Sequence, residues 1–153
     1  MLSGDYSKNR GGLGTIRRNW ILMVIIFLVI GIVGCKSEVL NGKEIVAIKL
    51  ECSDLCKKTP NAPFNQKILT DIDEIKIFER SISKAVKMKG ELDYDVMFMM
   101  YVSFEDSTQK KFVLNVDDEA GRTALLVDTA DSGQGYEIPK DQTNELRKII
   151  YND

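Results

Sequence analysis

The sequence predicts an α+β domain in which an antiparallel meander sheet of four to five strands carries two helices packed on one face. Apolar segments rich in β-branched and aromatic residues follow one another in the second half of the chain, with short turns between them. This pattern is typical of antiparallel strands joined by hairpins. One helical apolar pattern precedes these strands and a second ends the chain. The 153 residues suit a single domain.

The first half of the domain is predicted to contain one strand, one loop and one helix. Residues 45–51 alternate loosely, as a strand does, and residues 52–65 contain two prolines and are predicted as a loop. A helix is predicted to begin at Thr70, with Asp73 completing a capping box, and to stop at Gly90. Its apolar residues recur every three or four positions and form one face, which comprises Ile72, Ile75, Phe78, Ile82, Ala85 and Val86.

The second half is predicted to be mostly strand. Residues 96–104 are almost continuously apolar, which predicts a central strand buried on both faces. A turn at residues 105–107 leads to its hairpin partner at residues 111–116. The remaining predicted elements are a strand over residues 122–128, a short strand over 135–138 and a helix over 141–151 that buries Leu146, Ile149 and Ile150.

Composition excludes several classes of function. Apolar residues make up 44% and charged residues 29%, which argues against disorder and against a multi-span membrane protein. The absence of histidine excludes a histidine-based triad, a histidine general base and zinc sites that use histidine. A net charge of -2 predicts no nucleic-acid partner.

The N-terminus has the layout of a secretory signal. Residues 20–33 carry no charge, and the basic residues Lys8, Arg10, Arg17 and Arg18 precede them. A bilayer-spanning helix needs about 20 apolar residues, so this block of 14 favours a signal peptide. The alternative is a short uncleaved anchor.

The apolar block ends in Ile32-Val33-Gly34-Cys35, which resembles the lipobox of bacterial lipoprotein signal peptides. The resemblance implies cleavage between Gly34 and Cys35 and transfer of lipid to the Cys35 sulfur. Residues 1–34 are then the signal peptide, 35–44 a lipidated tether and 45–153 the domain. Two or more acyl chains would hold the protein at the extracytoplasmic face of a cell membrane, because each buried methylene contributes about 0.8 kcal/mol.

Signal removal changes the charge of the protein. It takes four of the 21 basic side chains and one of the 23 acidic ones, and leaves a net charge of -5. Anionic lipid repels such a domain, so lipid on Cys35, and not a basic patch, is expected to hold it at the membrane.

A family resemblance extends from residue 45 onward. The residues that carry it are Asp71, the helix over 75–86, Gly90, Asp93, the run 94–96, the strand over 111–114, the run 126–129 and Tyr136. In these residues the chain resembles the YhfM-like domain of small bacterial lipoproteins, an uncharacterised family. The resemblance implies fold and location, and it brings no catalytic signature.

Cys52 and Cys56 form the second candidate site. In an extended strand their Cα atoms would lie about 13 Å apart, whereas a disulfide needs roughly 4.4–6.8 Å, so a bridge requires the segment to turn. Export favours a structural disulfide, and two free thiols are the alternative. A redox pair is disfavoured because the spacing is not Cys-x-x-Cys, and a zinc site because two thiols supply half its ligands.

Clustered carboxylates and methionines offer the other candidate sites. The acidic runs, which include Asp117, Asp118, Glu119, Asp128 and Asp131, lack the spacing of a calcium loop, and we expect solvated faces and no metal or cofactor. Asp93, Asp95 and Glu105 are the candidates for a carboxylate-dependent envelope hydrolase. Met97, Met99 and Met100 are predicted as core, or alternatively as the lining of an apolar pocket.

These observations predict a non-catalytic binding or accessory module of the cell envelope. Its expected partners are the membrane, through Cys35, and another envelope protein or a small ligand. The hydrolase is the alternative.

Overall fold

A computed structural model describes residues 38–40 and 42–151. The predicted signal peptide, its cleavage site at Gly34 and the lipidation site at Cys35 lie outside the described residues. No helix in the described part of the chain combines the length and the hydropathy needed to cross a bilayer.

The described residues form one antiparallel sheet with helices on it. The strands are β1 (Ile45–Cys52), β2 (Gln66–Leu69), β3 (Val86–Lys87), β4 (Phe98–Phe104), β5 (Gln109–Asn115), β6 (Ala124–Asp128) and β7 (Gly135–Ile138), and the helices are α1 (Asp54–Lys58), α2 (Ile72–Ser83) and α3 (Lys140–Tyr151). The strand order is β2-β1-β4-β5-β6-β7-β3. Strands β4 to β7 are the meander that the sequence predicts, and β1 pairs with both β4 and β2.

The two predicted helices, α2 and α3, pack on the same face of the sheet, which we call the inner face. Side chains of β1, β4, β5 and β6 that point to it include Leu50, Met100, Phe112 and Leu126, each fully buried. The helices contribute Ile75, Phe78, Ile82, Leu146, Ile149 and Ile150 to the same core. Burial of these apolar side chains is the main source of stability.

The sheet is larger than the four to five predicted strands, and the described residues contain a third helix. Strands β2 and β3 have four and two residues, and α1 has five, so none is long enough to show a periodic pattern. Helix α1 lies inside the predicted loop over 52–65. It begins because Ser53 caps it, with its hydroxyl accepting hydrogen bonds from the Leu55 and Cys56 N–H groups.

Helix α2 differs from its predicted bounds at both ends. Its N-cap is Asp71 instead of Thr70, since the Asp71 carboxylate accepts from the N–H groups of Asp73 and Glu74 at 2.9 and 3.1 Å. It ends at Ser83, well before Gly90, because Val86 pairs with β7 as part of β3. Val86 is therefore exposed at the sheet edge and not on a helix face.

Strand β4 is buried on one face, whereas the sequence predicts burial on both. Phe98, Met100, Val102 and Phe104 point inward, and the residues between them are only half-buried. The reason is that no helix of the described chain packs on the other face, which we call the outer face.

The C-terminal end of the predicted tether contributes to the domain. Leu40 is 3% exposed and belongs to the core. The carbonyl oxygen of Val39 accepts a hydrogen bond of 2.6 Å from the Lys110 ammonium.

Candidate functional site

The segment of residues 88–97 crosses the outer face of the sheet. It connects β3, at one edge, to β4, which lies on the far side of β5, β6 and β7. The Met88 N–H donates to the Gly135 carbonyl oxygen at 2.9 Å, where the crossing begins. Leu92 lies on the outer surface of Gly135, since a Cβ atom placed at that glycine would be 3.0 Å from the Leu92 Cδ1. A glycine at position 135 therefore lets the segment approach the sheet.

The crossing segment divides the outer face into two halves. On one half, Val113 and Val127 are buried, although both point away from the helices. Val127 is paired with Gly135, on which Leu92 of the crossing segment lies. On the other half, Val46 and Ile68 are 47% and 60% exposed. We call these the covered half and the open half.

The end of the crossing segment is held by hydrogen bonds from two other elements. The Met97 N–H donates to the Asn115 Oδ1 at 2.8 Å, and the Asn115 Nδ2 donates to the Asp95 carbonyl oxygen at 2.6 Å. The Ser53 N–H donates to the Met97 carbonyl oxygen at 2.9 Å, and its hydroxyl donates to the carbonyl oxygen of Val96. Asn115 and Ser53 thereby satisfy four backbone groups of a segment that belongs to no strand.

Ser53 owes its position to the turn that contains Cys52 and Cys56. Cys52 ends β1 and Cys56 lies in α1, and this change of direction brings their Cα atoms to 5.4 Å, within the range a disulfide requires. The structure joins the two sulfurs in a disulfide, and both cysteines are buried. The bridge closes the turn that presents Ser53 to the crossing segment.

A pocket of about 430 Å³ opens between the crossing segment and the outer face of the meander. Its apolar lining comes from the crossing segment and from β6. Its polar lining includes three carboxylates, contributed by the crossing segment, by the residues after β5 and by β7. The lining residues are Met88, Leu92, Asp93, Met97, Asn115, Asp117, Thr123, Ala124, Leu125 and Glu137.

The three carboxylates of the pocket have different surroundings. Asp117 lies 3.8 Å from the Arg122 Nε and 3.9 Å from an amino nitrogen of Arg147. Arg147 is 4% exposed, and its Nε donates to the Asp117 carbonyl oxygen at 2.9 Å. Asp93 and Glu137 are exposed and form no ion pair with any residue that the structure describes. The pocket thus combines an apolar wall with two carboxylates free to meet a ligand.

The family model of the YhfM protein matches residues 53–153, about two thirds of the chain. The chain belongs to the YhfM family. No curated protein and no solved structure shows significant similarity to it. The matched region contains the whole crossing segment and every residue that lines the pocket.

The YhfM domain does not bring together the carboxylates suggested for a hydrolase. Asp95 precedes β4 and Glu105 follows it, so the seven residues of the strand separate them by roughly 20 Å. Asp93 lines the pocket, but its carboxylate companions there are Asp117 and Glu137. Periodicity could not reveal Glu137 as a site residue, because it lies on a predicted strand far from Asp93 in sequence.

Three further residues of the acidic runs, Asp118, Glu119 and Asp128, make local contacts. Asp128 accepts from the Ala130 N–H at 2.9 Å and lies 3.7 Å from the Lys110 ammonium. Asp118 accepts from the Asn61 amide at 2.9 Å. Glu119 lies 2.6 Å from Arg122. Within the described ranges, no group of three or more acidic or cysteine side chains is arranged to hold a metal ion.

The methionines of the YhfM domain divide between core and pocket. Met100 is fully buried in the inner core, and Met99 lies half-buried on the outer face. Met97 lines the pocket, as the alternative interpretation of the sequence proposed, and Met88 joins it from the start of the crossing segment.

On the open half of the outer face, Lys49 and Glu51 form an ion pair beside Tyr101, and Lys111 lies 5.4 Å from the centre of the same ring. The Lys49 ammonium lies 2.8 Å from Glu51 and 4.2 Å from the centre of the Tyr101 ring, and the Tyr101 hydroxyl donates to Glu51 at 3.0 Å. The hydrogen bond to Glu51 raises the pKa of Lys49, and the hydrogen bonds from Lys49 and Tyr101 lower the pKa of Glu51. Because these charges are paired with each other, we place the candidate site in the covered half.

Proposed function

We propose that this member of the YhfM family is a lipoprotein of the cell envelope. In this proposal it acts without catalysis, as a binding module held at the extracytoplasmic face of a membrane by lipid on Cys35. The observation that carries the binding role is the pocket under the crossing segment. Its volume of about 430 Å³ lies in the range of small-molecule sites. Its mixture of apolar wall and a few polar groups is typical of such sites.

The surroundings of the pocket carboxylates favour binding over bond cleavage. A glycoside hydrolase needs one carboxylic acid that stays protonated, usually through desolvation, beside a second carboxylate. Asp93 and Glu137 face water, and Asp117 is flanked by two arginines. None of the three has the desolvated, cation-free position of a general acid.

The lipid anchor rests on the lipobox at residues 32–35 and is tested by metabolic labelling with an alkyne fatty acid. We expect the wild-type protein to carry the label and to sediment with membranes. Cys35→Ala should lose the label, whereas a double Cys52→Ala, Cys56→Ala variant should keep it. An unlabelled wild-type protein of full length would instead indicate an uncleaved anchor.

The binding role is tested by photo-crosslinking in intact cells. A photoreactive residue at Thr123, which lines the pocket and is exposed, is compared with one at Thr129, which is exposed and outside the pocket. We expect a defined adduct, identified by mass spectrometry, from position 123 alone. Equal adducts or none from both positions would contradict a binding role for the pocket.

The alternative function, a carboxylate-dependent envelope hydrolase, predicts a different result. If the protein were such an enzyme, the purified protein would release fragments from cell-wall glycan, and Asp93→Asn would abolish this release. We expect no release by either protein.

A further inference from the structure

We propose that the pocket is selective for a small organic cation with an apolar body. The inference rests on the binding role proposed above and specifies the chemistry of the ligand. The apolar body would contact Met88, Leu92, Met97 and Leu125, and the positive charge would lie between Asp93 and Glu137.

The apolar part of the pocket is suited to an irregular organic group. Met88 and Met97 are flexible and polarisable and adapt to ligands of different shape. Leu92 and Leu125 both lie close to the outer surface of Gly135, and this backbone contact preforms that side of the pocket. A preformed wall lowers the entropy cost of binding.

The charge of the pocket lining favours cations over anions. Its lining contains three carboxylates and no lysine or arginine. Arg122 and Arg147 offset the charge of Asp117 and of its neighbour Glu119. Asp93 and Glu137 are therefore the source of the unbalanced negative charge. A positively charged ligand would complement this charge.

An organic cation fits the pocket better than a metal ion. Calcium takes six to eight oxygen ligands and magnesium six, in a compact shell. Thioether and leucine side chains of the lining supply no oxygen ligands, and within the described residues no three acidic or cysteine side chains are grouped to hold a metal ion. An alkylammonium ion uses both the apolar wall and the carboxylates.

Methionine methyl NMR on the full chain in a non-ionic maltoside detergent tests the inference. The chain has six methionines, and two of them line the pocket while Met100 is an internal control in the core. Three compounds of equal chain length are titrated at neutral pH: hexylammonium, hexanol and hexanoate. We expect hexylammonium to shift the Met88 and Met97 signals at concentrations about fivefold lower than hexanol or hexanoate, and to leave Met100 unchanged.

Charge variants provide the matched controls. Asp93→Asn and Glu137→Gln should each raise the Kd for hexylammonium by about threefold, and about 0.5 M salt should have a similar effect. Glu105→Gln, at the far end of β4, should leave the Kd unchanged. An unaltered Met100 signal shows that each variant is folded.

The possible failures differ for the two proposals. Equal shifts of Met88 and Met97 by hexanol and hexylammonium would overturn the selectivity for cations and leave the binding role intact. If no compound shifts the signals but position 123 gives an adduct in cells, the proposal of a small organic cation is overturned. The pocket would then bind a larger partner. Failure of both experiments would overturn the binding role itself.

Discussion

The inner and outer faces of the sheet are covered in different ways. Two amphipathic helices cover the inner face and bury a continuous core. One irregular segment, residues 88–97, crosses the outer face, where Val113 and Val127 are buried and a pocket remains. The comparison shows that the inner face is closed by many apolar contacts, whereas the covered half of the outer face depends on a few hydrogen bonds and one disulfide-bonded turn. We therefore expect the stability of the domain to come from the inner face and its binding function from the outer one.

The largest effect should follow from a cavity under helix α2. Ile82 and Ile72 lie on the same helix, at 2% and 67% exposure. Ile82→Ala should lower the free energy of unfolding by about 2–5 kcal/mol, whereas Ile72→Ala should change it by less than about 0.5 kcal/mol. Urea unfolding of both variants measures the difference. Equal effects would mean that the helix does not cover the core in the way described.

Loss of the disulfide should have a smaller effect, and one concentrated on the outer face. The five-residue loop closed by Cys52 and Cys56 is expected to contribute about 2 kcal/mol on the chain-entropy model. In the Cys52→Ala, Cys56→Ala variant we also expect faster hydrogen exchange at the Met97 amide. Ser53 then holds the Met97 and Val96 carbonyl oxygens less firmly, so the Met97 N–H separates more often from Asn115. The amide of Leu126, in the meander, should show only the change caused by the lower global stability. Unchanged exchange at Met97 would show that the disulfide does not help to hold the crossing segment in place.

Removal of the Asn115 amide tests the hydrogen bonds that hold the crossing segment. Asn115→Ala leaves the Met97 N–H and the Asp95 carbonyl oxygen without their partner, and we expect a loss of about 1–2 kcal/mol.

Asn61→Ala is the matched control for that variant, since Asn61 makes one exposed hydrogen bond, to Asp118. Its effect should stay below about 0.5 kcal/mol. Denaturant unfolding compares the two, and similar values would show that Asn115 has no special role in holding the segment.

The smallest effect concerns the free energy of unfolding at high pH. It compares a half-buried ionisable group of helix α3, Tyr151, with one at the surface of the outer face, Lys49. Burial, with Asp118 and Asp117 nearby, raises the pKa of Tyr151 to about 12. Because the unfolded chain ionises this phenol near pH 10, the stabilisation is complete below about pH 10 and is lost as the pH rises to about 12. The exposed Lys49 also has a raised pKa, owing to Glu51, and its contribution is lost in the same direction.

Unfolding measured between about pH 8 and 12 should therefore show falling stability. Tyr151→Phe should reduce this slope, and the reduction should persist at about 0.5 M salt, since burial is not screened. The contribution of Lys49, at the surface, should disappear at that salt concentration. An unchanged slope in Tyr151→Phe would show that the phenol is not desolvated.

The parts of the fold that the sequence predicts correctly are those with a regular apolar period. The spacing of Ile75, Phe78 and Ile82 places one face of α2 on the core, and the same holds for Leu146 and Ile150 in α3. The meander from β4 to β7 is predicted from consecutive apolar segments and short turns. Strands β2 and β3 are missed because pairing with distant strands, and not a local pattern, makes them strands.

The candidate site could be predicted only in pieces. The sequence marks Asp93 and Asp117 as clustered carboxylates and Met97 as a residue that could line an apolar pocket. It groups each of them with residues other than those beside it in the pocket. Glu137 and Leu92 carry no signal of their own, because their role arises from one chain segment lying across three strands.

The sequence by itself determined the α+β class, the antiparallel meander and the buried faces of two helices, because each follows from contacts between residues close together in the chain. The tertiary structure alone decided the two edge strands, the path of residues 88–97 and the pocket beneath them. These depend on contacts such as Leu92 with Gly135 and Asn115 with Met97, in which residues far apart in sequence meet. A local period records which side of an element is apolar, but not which distant segment will lie against it.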